Sequence, residues 1–334
     1  MKKIIKFSKK ISDISSIKKD FFSDNKVYLD RAKKGFRLYV KEKKRLRCKN
    51  CNFKLSKKVF RSNNVNYTIC KRCFHLNGLH QDTKNFLNKL YLTEKGSSYD
   101  KAYKSQYNFR VKNIYGPKLN FLKKVLRKKF SVIEIGSGAG HFIKACEKSR
   151  IKAKGFEINK KLVEIAKNNN VKKIFCESAE KINQIILNDD SDVACLISTL
   201  EHLEKPNLIL KLIKQSKIKY IYTCIPLFSL STFIENTFPN VYPRQLNASH
   251  THLYTYESIK YMVNKFKFKI IGEWWFGTDI SDLYRSIILS SKYYDKDYIK
   301  YFNTLFGNYI DDFQNVLDKK KLSCEVHMVL KVKN

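Results

Sequence analysis

No stretch of this 334-residue chain approaches the roughly 20 consecutive apolar residues that span a membrane. The first ten residues hold five lysines but no apolar h-region of the kind a signal peptide needs. The expectation is therefore a cytosolic protein without a membrane span. Arginine is scarce, 11 of the 67 basic side chains. That scarcity counts against a dedicated nucleic-acid surface, because arginine is the favoured bidentate partner of phosphates and base edges. Acidic residues are also few, 30 against 67 basic ones, leaving a formal charge of +37. Residues 1–80 carry 24 of the basic and only 5 of the acidic side chains. The accompanying abundance of Asn, Ile, Phe and Tyr points to a biased coding composition, and a basic surface attracts any anionic substrate.

Cysteine is neither absent nor evenly spread. Four of the nine form Cys48-Lys-Asn-Cys51 and Cys70-Lys-Arg-Cys73, a C-x2-C-x18-C-x2-C arrangement. Two thiolate pairs on tight knuckles can close a tetrahedron around Zn2+, and so short a segment has no other adequate core. Cys48, Cys51, Cys70 and Cys73 are thus expected to hold one structural zinc, closed to substrate. His75 and His80 lie outside the ligand set and read as surface or packing residues. Cys146, Cys176, Cys195, Cys224 and Cys324 stand singly in apolar contexts and are expected to be buried thiols. The chain divides into a basic N-terminal arm (1–44), the four-cysteine module (45–80), a helical linker (81–125) and a larger α/β domain (126–334). In the linker, Phe86, Leu87, Leu90 and Tyr91 share a face, followed by Tyr99, Tyr103, Tyr107 and Tyr115. The segment either covers a ligand or packs as ordinary helix.

Glycine is sparse too, 11 in all, yet Gly136, Gly138 and Gly140 stand at alternate positions directly after the apolar run Val132-Ile-Glu134-Ile135. Glycine is required where the backbone takes positive φ or a ligand approaches without a Cβ in the way. A loop between a buried strand and a helix is where open α/β sheets bind ligands. The pattern is acidic-x-G-x-G-x-G rather than the dinucleotide G-x-G-x-x-G. A second strand ends on Glu157, whose carboxylate can accept both hydroxyls of a ribose. Strands are expected at 131–135, 152–157, 173–176, 193–198 and 220–225, with helices from His141, at 160–168 and at 205–214 between them. An irregular insert follows to Ser249, then a helix at 256–264, a strand at 268–275, a helical insert from 280 to about 317, and a last strand at 324–331. This alternation defines a Rossmann-like α/β fold.

These features resemble the class I S-adenosylmethionine-dependent methyltransferases, in four motifs in the family's order across about residues 119–334. The resemblance implies a seven-stranded sheet whose last pair is antiparallel. It also implies a glycine loop, Glu134, Gly136, Ser137, Gly138 and Gly140, around the methionine part of the cofactor. Glu157 would hold the ribose, with Ile158 beside it. Ser178 and Ala179 fall at the adenine-contacting turn, and Ser198 at the end of the fourth strand, before the Leu200-Glu-His-Leu203 turn.

A closer resemblance is to the C-methyltransferases of nucleotide-linked deoxysugars, which join a cysteine zinc module to such a domain. They carry one histidine after strand four and a Y-H-E-H-L segment after strand five. His202 and His252 match those two histidines and become the candidate bases. Each lies on a segment expected at the carboxyl ends of strands four and five. Ser249 and Thr251 replace the tyrosine and glutamate, the cysteine pairs are more closely spaced, and that family's large C-terminal domain is missing. The resemblance implies transfer of a methyl group to oxygen or carbon of a sugar, nucleotide-linked or in a surface glycan. The alternative acceptor is RNA or a ribosomal protein, although no N-P-P-Y-type motif ends the fourth strand. The metal-assisted O-methyltransferases of quinone synthesis have a glutamate three positions before the Glu-His pair. Ser198 stands there, so no catalytic metal is expected.

Overall fold

The structure is a computed structural model that describes residues 2–11, 20–57, 60–94, 106–291 and 295–332; Tyr99 and Tyr103 lie outside the described residues. Strands β5 (Val132–Ile135), β6 (Ala153–Glu157), β7 (Ile174–Cys176), β8 (Val193–Ile197) and β9 (Tyr220–Pro226) pair in parallel in the order β9-β8-β5-β6-β7. Every residue of β5, β8 and β9 is buried, as strands covered on both faces must be. Helices Gly116–Leu126, His141–Lys148 and Lys160–Asn168 cover one face through Leu122, Phe142 and Val163. On the other face lie Ala179–Asn188, Pro206–Gln215 and Tyr256–Phe266, through Ile186, Ile213 and Met262. The order in which strands are added to the sheet reverses between β5 and β8, and the crevice at their carboxyl ends is the switch point where such sheets bind ligands.

Two antiparallel strands, β11 (Lys269–Trp275) and β12 (Glu325–Lys331), extend the sheet past β9. The sheet has eight strands rather than the expected seven. The extra one, β1 (Ile4–Phe7), runs parallel to β11 at the edge, inside the segment read as a basic arm. Its four residues turn the apolar Ile5 and Phe7 outward, which is the reverse of the pattern that betrays a strand. Lysine contacts fix it: Lys3 Nζ lies 2.6 Å from Glu273 Oε1, and Lys6 Nζ sits 3.7 Å from the centroid of a Trp274 ring.

Two other expectations need correction. The insert after β9 is not wholly irregular, because Leu230–Thr237 is a helix. Buried Asp279 anchors its start, accepting hydrogen bonds from Ser229 Oγ (2.7 Å) and from the Ser231 backbone N–H (3.1 Å). Of the five single cysteines, Cys176 is exposed and the other four are buried, since Cys176 ends β7, the edge strand with solvent on one side. The helical insert resolves into Asp279–Ser290, Lys296–Leu305 and Ile310–Lys319.

The cysteine module is not a free appendage. Its strands β2 (Phe60–Ser62), β3 (Val65–Ile69) and β4 (Leu76–Gly78) form a small antiparallel sheet, to which the larger domain adds β10 (His252–Leu253). Helix Asn25–Tyr39 packs Phe36 and Tyr39 into the same core as Tyr67, Leu76 and Leu253. Asn207 Nδ2 donates to the Asn50 carbonyl at 2.8 Å, and Asn50 Nδ2 donates to the Ser258 carbonyl at 2.9 Å. The module therefore holds the segment that carries His250 and His252.

Candidate active site

Gly136, Gly138 and Gly140 all take positive φ, at 71°, 52° and 71°, so a side chain at any of them is strained. The close approach is specific at Gly136, where an added Cβ would lie 3.0 Å from both Cγ2 and Oγ1 of Thr199. Thr199 Oγ1 donates to the Ile135 carbonyl at 3.1 Å and ties the end of β5 to the turn after β8. At the second strand, Glu157 accepts from the Gly138 N–H through Oε2 and from the Ile158 and Asn159 N–H groups through Oε1, each at 2.9 Å. Burial raises the Glu157 carboxyl pKa and these three donors oppose it. A carboxylate oxygen has two lone pairs, so Oε2 retains acceptor capacity for a hydroxyl.

Around this loop lie buried polar atoms without a protein partner, Glu134 Oε2 and Ser137 Oγ. Burial pushes the Glu134 carboxyl well up, and the nearby Lys118 ammonium opposes it. Unsatisfied groups of this kind are costly unless a ligand completes them. A cofactor with an amino-acid part offers an ammonium to Glu134 Oε2 and a carboxylate to Ser137 Oγ, the two atoms left without a partner. Ile158 is exposed next to Glu157, an apolar face beside the ribose position. Ser198 has φ of 52°, the left-handed region that a residue with a side chain enters uncommonly, and it sits where β8 meets the crevice. Ser178 accepts the Lys181 N–H at 3.2 Å as the cap of helix Ala179–Asn188, and Ala179 opens that helix. The donor set fits S-adenosylmethionine: Glu134, Gly136, Ser137, Gly138 and Gly140 are the residues that could hold its amino-acid part, and Glu157 is the one that could accept from its ribose.

The two candidate bases fall in different networks. His202 closes the short turn after β8 beside Glu201 and faces His250, with ring centroids 4.8 Å apart. Its Nδ1 lies 3.1 Å from the Ser249 carbonyl and 2.7 Å from the Tyr91 hydroxyl. A carbonyl only accepts, so these contacts assign the proton to Nδ1 and leave Nε2 as the basic atom. Nε2 points to Glu201, 3.7 Å from its Oε1. Burial pushes the Glu201 carboxyl up to about 8. His252 sits in the joint with the cysteine module: its backbone pairs with Asn77, and its Nδ1 lies 2.8 Å from His75 Nε2. It is fully buried, and burial holds its pKa well below the usual imidazole value. His75, read as a surface or packing residue, is the other half of this buried pair.

Sequence reasoning did not single out Tyr91, Glu201 or His250 as site residues. Tyr91 reaches across the crevice: its carbonyl accepts from Asn159 Nδ2 at 3.1 Å, beside Glu157, while its hydroxyl meets His202. The linker therefore covers the cleft at this point. Glu201 and His250 carried a legible signal, as neighbours of His202 and His252 within the two histidine segments.

The four module sulfurs lie within 4.8 Å of one another, with Cys48 Sγ 3.6 Å from Cys73 Sγ and Cys51 Sγ 3.5 Å from Cys70 Sγ. Zn–S bonds of about 2.3 Å in a tetrahedron place sulfurs about 3.8 Å apart, and the donor set fits zinc. Asn77 Nδ2 donates to Cys48 Sγ at 3.5 Å and Asn50 Nδ2 to Cys73 Sγ at 3.7 Å, the outer-shell support that metal thiolates receive. Four sulfurs leave no position for substrate.

A family profile described as a methyltransferase domain matches residues 107–273, from within the linker into β11. The chain belongs to this methyltransferase family. Among solved structures it is similar to a SAM-dependent methyltransferase from Archaeoglobus fulgidus, at 17% identity over 68% of this chain and 99% of that one, with a TM-score of 0.44. It is similar to the plantazolicin methyltransferase BamL, solved with a triazolic desmethylPZN analog and SAH, at 16% identity over 74% and 94% with a TM-score of 0.46. Magnesium protoporphyrin IX methyltransferase from Synechocystis PCC 6803, with bound SAH, matches at 10% identity over 75% and 100% with a TM-score of 0.48. No curated protein matches the chain in sequence. Among the described residues, no helix is long and apolar enough to cross a membrane.

Proposed function

We propose that the protein transfers a methyl group from S-adenosylmethionine to a hydroxyl of a sugar, nucleotide-linked or part of an anionic glycan. Residues 126–334 carry the transfer, and residues 45–80 hold a structural zinc. The observation that carries this reading is the pairing of two sites at one switch point. The glycine loop and Glu157 form a cofactor cradle, and the Glu201, His202, His250 and Tyr91 cluster forms a polar acceptor wall. When bound, the cofactor supplies an activated methyl on a sulfonium. The chain's part is to align the acceptor oxygen and manage its proton. His202 acts on that oxygen through Nε2, held in orientation by the Ser249 carbonyl. His252 serves as a positioning residue, fixing the segment 249–254 against the module through His75. The basic surface favours an acceptor bearing phosphate or carboxylate groups.

The test is incubation of the purified protein with methyl-labelled cofactor and, separately, a panel of nucleotide-linked sugars, bulk RNA and ribosomal protein. A sugar product heavier by one methyl group supports the reading. Label in RNA or protein, with none in any sugar, overturns it.

The module predicts a separate outcome. Because the four sulfurs tie the two cysteine knuckles together, Cys70→Ser is expected to remove the metal and speed hydrogen exchange around residues 48–51 and 70–73, which lie outside the apolar core shared with the larger domain. The β5–β9 core should stay protected. One zinc per chain in the parent and none in the variant, by elemental analysis, is the matching result. Full zinc content in the variant would show that the cysteines are not its ligands.

A further inference from the structure

We infer that Glu201, His202 and His250 form a second metal site, for a divalent first-row transition cation that binds the acceptor. The inference rests on the acceptor-site reading above and specifies how that site works. One ligand atom from each residue lies within 4.8 Å of the others. Both rings are fixed from behind: His202 Nδ1 lies 3.1 Å from the Ser249 carbonyl, and His250 Nδ1 lies 2.8 Å from the Gln245 carbonyl. This is the outer-shell arrangement that orients metal-bound imidazoles, with Nδ1–H on a carbonyl and Nε2 toward the ion.

A second, independent observation concerns the same carboxyl group. Glu201 is 1% exposed; its Oε1 lies 3.7 Å from His202 Nε2, and its Oε2 has no hydrogen-bond partner. A buried carboxyl group in that state is costly unless it is paired or coordinates a cation. Two imidazoles and one carboxylate suit Zn2+, Mn2+ or Fe2+ and leave further coordination positions open. Glu201 is buried while His202 and His250 are only half-buried, so the open positions face the crevice. The expectation that no catalytic metal is present followed from Ser198 standing where a relative has glutamate. His250, supplied 48 positions after His202 by the segment the module holds, takes up the missing ligand position.

The chemistry is O-methylation. An acceptor hydroxyl bound to the cation becomes more acidic and gives its proton to water. The oxygen lone pair then forms the bond to the methyl carbon, and the carbon–sulfur bond breaks with its electron pair kept by sulfur. His202 thus acts on the acceptor through the cation.

The test uses the full-length protein, dialysed against a mild chelator so that the cysteine zinc remains, and titrated with Mn2+ by electron paramagnetic resonance. One bound Mn2+ per chain is expected. Glu201→Gln and His250→Ala should each weaken it at least tenfold. Zinc content and S-adenosylmethionine affinity should stay at parental levels, which shows that the variants are folded. Absence of any Mn2+ or added Zn2+ binding beyond the cysteine zinc overturns the inference, as does unchanged affinity in both variants. Should either variant fail to fold, His250→Asn provides the same comparison. Metal binding without methylation of any sugar refutes only the acceptor class. Sugar methylation that survives exhaustive chelation, with no second metal bound, refutes only the metal site.

Discussion

Replacing His202 by alanine is expected to lower turnover by about a hundredfold or more, within the range for removal of a group that activates the acceptor, as a base or as a ligand of the cation, and to leave cofactor affinity nearly intact. The separation follows from geometry. His202 meets Tyr91, Ser249, Glu201 and His250, whereas the cofactor cradle we propose consists of Glu134, the glycine loop and Glu157. His252→Ala is expected to behave differently, because His252 is bonded to His75 inside the joint between module and domain. It should lower the melting temperature and turnover together. His252→Asn, which keeps a polar group toward His75, should recover part of both. Steady-state kinetics with a saturating acceptor, alongside thermal melts, separate the two roles. Full turnover in His202→Ala would remove that residue from the chemistry. A His252→Ala variant with parental stability and a hundredfold turnover loss would return the catalytic role to His252.

The sequence made the centre of the fold legible and its margins less so. Strands β5 to β9 were readable because parallel strands buried on both faces appear as short continuous apolar runs, and the glycine loop marks where the first of them ends. The eighth strand was not readable: Ile4–Phe7 is short and points apolar side chains outward, held by lysines that local periodicity cannot register. Helix Leu230–Thr237 was missed because its anchor, Asp279, lies far along the chain. The cysteine spacing predicted the cluster of four sulfurs. It did not predict that strand β4 of the module pairs with β10, which places His252 in a joint. The cluster of Tyr91, His202 and His250 is likewise a product of tertiary structure, since the three come from segments that only the folded crevice brings together.

The central claim is that the cofactor occupies the loop at β5 with its ribose on Glu157. It is tested most directly by calorimetric titration of S-adenosylmethionine into the parent protein and into Glu157→Ala. The carboxylate is buried, fixed by three backbone N–H groups and placed at the carboxyl end of β6. Its loss leaves a ribose hydroxyl without its charged acceptor on Oε2, at about 1.5–3 kcal/mol for the charge-assisted hydrogen bond. Affinity should therefore fall by a factor of about 10 to 150 for the loss of that bond, with the variant still folded by circular dichroism. Equal affinity in the two proteins would contradict the account and remove Glu157 from the cofactor site.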